Sequence, residues 1–146
     1  GNPLNPPVRK IEIFDGQGKL VNRPLDAPSA NIAGLTVGQA KQLEAKILEV
    51  IPGAKEVRVF GSRTRGVTTT DIDVVVVGEI NVASSGFRTA RKKVEEFAKK
   101  LGIPKPEGKP RVDLNISSSL DEFLWWSRAQ PNYDPKRGLP RLERME

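Results

Sequence analysis

The chain has 146 residues and a net charge of +6, with a pI near 9.8, and it contains neither cysteine nor histidine. Zinc fingers, thiol nucleophiles and Ser-His-Asp triads are therefore excluded, and any catalysis must use carboxylates, Lys or Arg, hydroxyls or a metal held by oxygen ligands. The length suits one domain, and no apolar run approaches the roughly 18 residues that span a membrane.

The first half of the chain predicts a Pro-rich linker, a β-hairpin and one helix. The hairpin is centred on the turn composition Asp15-Gly16-Gln17-Gly18. The helix is predicted because apolar residues recur at three- and four-residue spacing up to the stop signal Pro52-Gly53. In chain order, we expect the linker over 1–7, the hairpin over 8–21, a loop over 24–34 and the helix over 36–50.

The second half predicts strands that alternate with helices. The valine run over 72–77 indicates a central strand covered on both faces. This order predicts an α+β fold, with a mixed β-sheet flanked by helices, divided into an N-terminal linker and hairpin (1–34), a main domain (35–130) and a basic irregular tail (131–146). The expected elements are strands over 56–60, 72–77 and 111–116, a short helical turn after Ser62, a helix over 85–101, and a last helix opened by a capping box of Ser119 and Glu122.

Positive charge is concentrated between Ser85 and Arg111, which we call the basic zone. It contains nine Lys or Arg and three Glu, so its net charge equals that of the whole chain. Such a zone favours phosphate-bearing partners. A solvated helix face that keeps the protein in solution is the alternative interpretation.

Asp71 and Asp73 open the valine strand at a spacing that points both side chains to one face. Carboxylates that enter a buried strand are costly unless they are neutralised, and a shared divalent cation would neutralise them. Oxygen ligands favour Mg²⁺ or Mn²⁺. If the strand over 111–116 pairs beside them, Asp113 joins as a third carboxylate. Three carboxylates can hold two metals about 3.5–4 Å apart, which suits phosphoryl displacement.

Gly61-Ser62 lies ahead of the two aspartates and predicts a triphosphate site. Gly61 has no side chain, so a phosphate can approach the backbone. Ser62 offers a hydroxyl at the start of a short helix, where free N–H groups favour anions. Arg63 and Arg65 are placed to reach the same phosphates, although surface charge is their commoner role.

Together these residues resemble the polymerase-beta-like nucleotidyltransferase superfamily, and its minimal members in particular. The pattern is Gly61-Ser62, Arg65-Gly66, then Asp71-x-Asp73 before valines, with Asp113 on a later strand. The resemblance implies Mg²⁺-dependent transfer of a nucleoside monophosphate from an NTP to an acceptor, with release of pyrophosphate. It implies that the three aspartates bind metal, that Asp113 helps to activate the acceptor hydroxyl, and that Gly61 and Ser62 bind the triphosphate. Thr64 and Thr70 depart mildly from the family pattern.

The acceptor stays open at this point. The basic zone favours an RNA end such as tRNA, while a protein hydroxyl or a small molecule are alternatives, and a non-catalytic RNA-binding or interaction domain is the competing class. The chain begins without Met, which suggests a toxin domain from a larger secreted bacterial protein. We then expect action in the cytoplasm, a neutralising immunity or antitoxin protein, and no membrane partner. Trp125 and Trp126 could stack on bases, but we expect one in the core and one over a helix edge.

Overall fold

The computed structural model describes residues 32–67 and 69–145, together with the backbone of 10–14 and 20–24. The described part forms three helices, a four-stranded mixed sheet and a separate two-stranded hairpin, which confirms the predicted α+β fold. None of the described helices is long and apolar enough to cross a membrane. The elements are β1 (Lys10–Phe14), β2 (Leu20–Pro24), α1 (Val37–Val50), β3 (Ala54–Phe60), a 3₁₀ turn (Ser62–Arg65), β4 (Ile72–Gly78), α2 (Ser85–Lys100), β5 (Val112–Ser117), α3 (Leu120–Arg128) and β6 (Glu143–Arg144).

The hairpin is confirmed, because β1 and β2 pair antiparallel. Its predicted turn over 15–18 and the predicted linker over 1–7 lie outside the described residues, as do residues 25–31 of the predicted loop.

The four-stranded sheet has the order β5-β4-β3-β6. β4 is central, as its valines predicted, and pairs parallel with β5 and antiparallel with β3. In this register Asp73 lies between Phe60 of β3 and Asp113 of β5. The sheet topology therefore aligns the two acidic strands side by side.

One face of the sheet packs against α1 and α2. Val59, Ile72 and Val74 point to this face and are completely buried with Leu43 and Ile47 of α1. Burying each of these side chains stabilises the fold by about 1.5–3 kcal/mol. Since β-strand side chains alternate, the residues between them must point to the opposite face.

The opposite face of the sheet is covered by α3 and the end of the chain. Val75, Val77, Phe123 and Leu142 form a second, smaller core there. The ring of Phe123 lies 4.8 Å from that of Phe60 in a tilted arrangement, which adds an aromatic contact to the apolar one. The aspartates that share this face thus lie beside a packed apolar floor.

The tail differs from the irregular segment expected over 131–146. β6 pairs antiparallel with β3 through Arg58↔Arg144 and Val59↔Glu143, and both Leu142 and Met145 are completely buried. The tail forms a strand here because it pairs with the edge of β3 that would otherwise be open. A two-residue strand is too short to show a periodic pattern in the sequence.

The opening of α3 and its tryptophans also differ in part from expectation. Ser119 accepts a hydrogen bond from the Glu122 backbone N–H at 3.0 Å, but the Glu122 carboxylate accepts from the Ser118 hydroxyl instead of completing the capping box. Trp125 and Trp126 are 71% and 49% exposed, so neither is the expected core residue. Phe123 fills that position, since it is buried with Val75 and Val77 of β4.

Candidate functional site

Three carboxylates gather where β4 and β5 begin. Asp71 immediately precedes β4, Asp73 is its second residue, and Asp113 lies opposite Asp73 on β5. One oxygen from each side chain lies within 4.8 Å of the others. The structure therefore brings together all three residues that the sequence predicted, by the strand pairing on which that prediction depended.

The acidic cluster is electrostatically strained without a cation. Burial raises the pKa of Asp73 from its usual 3.8 to about 7, helped by the charges of Asp71 and Asp113 and a hydrogen bond with Asp113. The nearby charge of Lys109 lowers the same pKa. An all-oxygen donor set with this much mutual repulsion fits a hard divalent cation such as Mg²⁺ or Mn²⁺. Lys109 of the basic zone is therefore also a neighbour of the acidic cluster.

Divalent-metal affinity should fall steeply below pH 7. A metal must displace the proton that Asp73 holds below its folded pKa of about 7, so the apparent affinity should drop about tenfold for each pH unit below that value. Isothermal titration with Mn²⁺ between pH 5.5 and 8.5 measures this dependence. Asp73→Asn should flatten the profile, and a flat profile in the unaltered chain would contradict the prediction.

The same pKa shift sets the pH dependence of stability. Because the folded pKa of Asp73 exceeds the unfolded value of 3.8, the folded state holds this proton more tightly between about pH 4 and 7. The Asp73 contribution to the free energy of unfolding therefore falls as pH rises through that window. Saturating metal should remove the loss, which melting curves with EDTA and with MgCl₂ would compare.

Gly61 is required by its backbone conformation and by its closeness to Asp73, neither of which the sequence alone indicates. Its φ of 87° and ψ of −164° fall in a region that other residues rarely occupy. A Cβ at this position would also collide with Asp73 Oδ2 and lie 3.2 Å from Asp73 Cγ. Gly61 thus leaves room for the Asp73 carboxylate, in addition to any approach by a phosphate.

Hydroxyl groups link the Gly61-Ser62 turn to the start of β4. Ser62 Oγ lies 3.0 Å from Thr70 Oγ1, which places Ser62 beside the residue that precedes Asp71. Thr64 Oγ1 donates to the Gly61 carbonyl at 2.6 Å, and the Thr64 backbone N–H donates to the same oxygen at 3.0 Å. Thr64 therefore closes the predicted triphosphate turn on itself, and Thr70 links that turn to the start of β4 beside Asp71.

The two arginines of the 3₁₀ turn occupy different environments. Arg63 is buried, and its guanidinium donates to the carbonyls of Thr70 at 3.0 Å and Ala33 at 2.6 Å. Burial lowers the pKa of Arg63, while the charge of Asp71 opposes that shift. This position indicates a structural role for Arg63 in place of the predicted contact with a triphosphate. Arg65 is exposed and lines a cleft with Arg137 of the tail.

A groove of about 680 Å³ runs between α2 and the edge strand β5. Arg88, Arg91 and Lys92 line it. The Glu95 carboxylate, also in the groove, accepts the Val112 backbone N–H at 2.8 Å and pairs with Arg111 at 3.4 Å. Glu96 also lines the groove, so three cations face two carboxylates, of which Glu95 is already engaged, and the groove keeps a modest excess of positive charge.

Comparison with known proteins agrees with this geometry. A family model described as a nucleotidyltransferase domain matches residues 41–125, more than half of the chain. The matched segment contains the Gly61-Ser62 turn and all three aspartates, and it ends within α3. No curated protein matches the chain.

Proposed function

The chain belongs to the nucleotidyltransferase domain family, and on that basis we propose that it transfers a nucleoside monophosphate from an NTP to an acceptor hydroxyl with Mg²⁺ or Mn²⁺. The observation that carries the proposal is the cluster of Asp71, Asp73 and Asp113, whose oxygens lie within 4.8 Å of one another. Family membership supports a transferase enzyme that uses an NTP. The metal, the acceptor and the residue roles are our proposal.

Each residue of the site has a distinct role in the proposed transfer. Asp71, Asp73 and Asp113 hold the cation, which when bound offsets the negative charge that develops on the phosphates. Gly61 and Ser62 bind the triphosphate. The acceptor oxygen bonds to the α-phosphorus, the bond between the α- and β-phosphates breaks, and pyrophosphate leaves with the electron pair. The hydroxyl proton passes to the carboxylate of Asp113.

An RNA end such as that of tRNA is the acceptor we propose. The groove beside β5 supplies Arg88, Arg91 and Lys92 for backbone phosphates. Val112 and Leu114 line this groove, and Asp113 lies between them on the same edge strand. An RNA strand held in the groove could therefore pass around the β5 edge and present its terminal hydroxyl to the aspartates.

Removing two groove cations should weaken RNA binding. Arg88→Ala with Lys92→Ala should raise the RNA dissociation constant at least about tenfold. The slope of log K against log salt concentration should also become shallower by about two units, because two fewer phosphates are neutralised. Lys99→Ala with Lys100→Ala is the matched control, because both lysines are exposed on α2 outside the groove. Fluorescence anisotropy at several salt concentrations measures both pairs. Equal losses from the two pairs would mean that the groove has no special role.

The proposed activity is tested by incubating the intact chain with each α-labelled NTP and total cell extract, with Mg²⁺ or with EDTA. Metal-dependent label on RNA, together with pyrophosphate release, is the expected result. Label on protein would identify a protein-nucleotidylating enzyme instead. RNA binding without label, unchanged by Asp71→Ala with Asp73→Ala, would favour a non-catalytic RNA-binding domain.

We propose a toxin role in the cytoplasm if the added nucleotide blocks the tRNA end that accepts an amino acid, because translation would then stop. A neutralising immunity or antitoxin protein would then be the expected partner. Expression should arrest growth in a way that Asp73→Asn abolishes. Normal growth of cells in which the chain shows transfer activity would refute the toxin role and leave the proposed enzymatic activity intact.

A further inference from the structure

A second basic cleft lies beside the 3₁₀ turn. One of its two walls lies outside the segment that the family model matches. It has a volume of about 220 Å³, with Arg65 on one wall and residues 132–134 and 137–141 of the tail on the other. The family match ends at residue 125, so the tail wall is a feature of this chain beyond the matched domain. Its charged lining side chains are Arg65, Asp134, Arg137 and Arg141.

The tail wall of the cleft has a defined structure. The backbone N–H groups of Arg137 and Gly138 donate to the Asp134 carbonyl at 3.0 and 2.9 Å, and that of Lys136 donates to Asp134 Oδ1 at 2.9 Å. Leu142 then anchors the following residues in the second core. Arg137 therefore lies in a hydrogen-bonded turn and Arg141 directly precedes the buried Leu142, which fixes where their backbones lie.

The charge of the cleft is unbalanced. Three arginines face one carboxylate, Asp134. Arg141 Nε is buried and has no hydrogen-bond partner within the described residues. A buried donor left unpaired costs about 1–3 kcal/mol, so a side-chain movement that brings this nitrogen to a ligand acceptor in the cleft would be favourable.

We propose that this cleft binds phosphate groups of a substrate, through Arg65, Arg137 and Arg141. Guanidinium groups match phosphate oxygens in geometry and remain charged at all relevant pH values. The volume is below the roughly 300–1,000 Å³ of sites that enclose a whole ligand, which suits a few phosphates of a larger molecule. Arg65 ends the same turn that begins with Ser62, so the cleft adjoins the predicted triphosphate turn. Its part in catalysis depends on the proposed function, whereas phosphate binding does not.

Inorganic tripolyphosphate in EDTA tests the cleft without metal or turnover. Isothermal titration of the intact chain should show binding that Arg137→Ala weakens about tenfold, since a charge-assisted hydrogen bond contributes about 1.5–3 kcal/mol. Lys136→Ala removes one neighbouring tail cation outside the cleft and should change the affinity less than twofold. Arg137→Lys, which keeps the charge and loses the paired donors, should fall between them. Equal affinities for Arg137→Ala and Lys136→Ala would overturn the proposal.

Two further titrations identify the source of the phosphates. A non-hydrolysable NTP with Mg²⁺ and a short RNA are each titrated into the same variants. A loss at Arg137→Ala for the NTP alone assigns the cleft to the donor triphosphate, and a loss for RNA alone assigns it to the acceptor backbone. Unchanged affinity for both would overturn a substrate role. Tripolyphosphate binding without any transfer would refute the proposed function and leave the phosphate cleft standing.

Discussion

Asp73→Asn should reduce nucleotidyl transfer by at least about 10³-fold, a loss of about 4 kcal/mol in transition-state stabilisation. The substitution keeps the shape of the side chain but removes one of the three anionic metal ligands. Radiolabel transfer and pyrophosphate release, measured with saturating Mg²⁺ and NTP, report the rate.

The same variant should be as stable as the parent chain, or more stable, in EDTA at pH 8. Under these conditions the ionised Asp73 carboxylate is opposed by its burial and by the charges of Asp71 and Asp113. A neutral amide of equal size relieves that repulsion. A fold that gains stability as it loses activity is the pattern expected of a site kept for chemistry.

Asp121→Asn is the matched control for the change of charge. Asp121 is exposed in the first turn of α3 and lies outside the acidic cluster. Its replacement should leave transfer intact and change the free energy of unfolding by no more than about 0.5 kcal/mol. If Asp73→Asn retained transfer and melted at a lower temperature, Asp73 would have a role in stability and none in catalysis.

Gly61→Ala should combine a large loss of activity with a moderate loss of stability. The backbone conformation at Gly61 costs any other residue about 1–3 kcal/mol. The new methyl group would also push the Asp73 carboxylate out of the acidic cluster. A displacement of about 1 Å at a reacting centre can cost 100-fold in rate, so we expect at least that reduction.

Gly102→Ala separates backbone strain from displacement of the carboxylate. Gly102 follows α2 with a φ of 83°, and within the described residues no atom lies near enough to meet an added Cβ. This variant should lose about 1–2 kcal/mol of stability and retain transfer. Metal titrations on both variants complete the comparison. If Gly61→Ala bound Mn²⁺ and transferred as well as Gly102→Ala, the contact with Asp73 would have no functional importance.

The elements and the acidic cluster could be predicted because their signals are periodic and local. The valine run predicted a central strand, and the spacing of Asp71 and Asp73 placed both on one face. The addition of Asp113 needed one assumption, that its strand pairs with the valine strand. The family resemblance favoured that pairing, and the parallel register of β4 and β5 confirms it.

The roles of the arginines could not be read from the sequence. Arg63 and Arg65 are two residues apart in one turn, and nothing local tells which points inward. The decisive contact of Arg63 is with the Ala33 carbonyl, thirty positions earlier in the chain. The tail wall of the phosphate cleft escaped prediction for the same reason, because its position depends on Leu142 packing beneath α3.

Leu142 and Met145 are buried in the core although they lie beyond residue 125, where the family match ends. We therefore expect the chain to need these residues in order to fold. A polypeptide shortened to residue 125 would leave Val75, Val77 and Phe123 without Leu142 and expose the backbone of β3 along its outer side. Uncovered strands of this kind recruit other chains. Such a shortened polypeptide should therefore aggregate, whereas in the intact chain β6 covers this edge of β3.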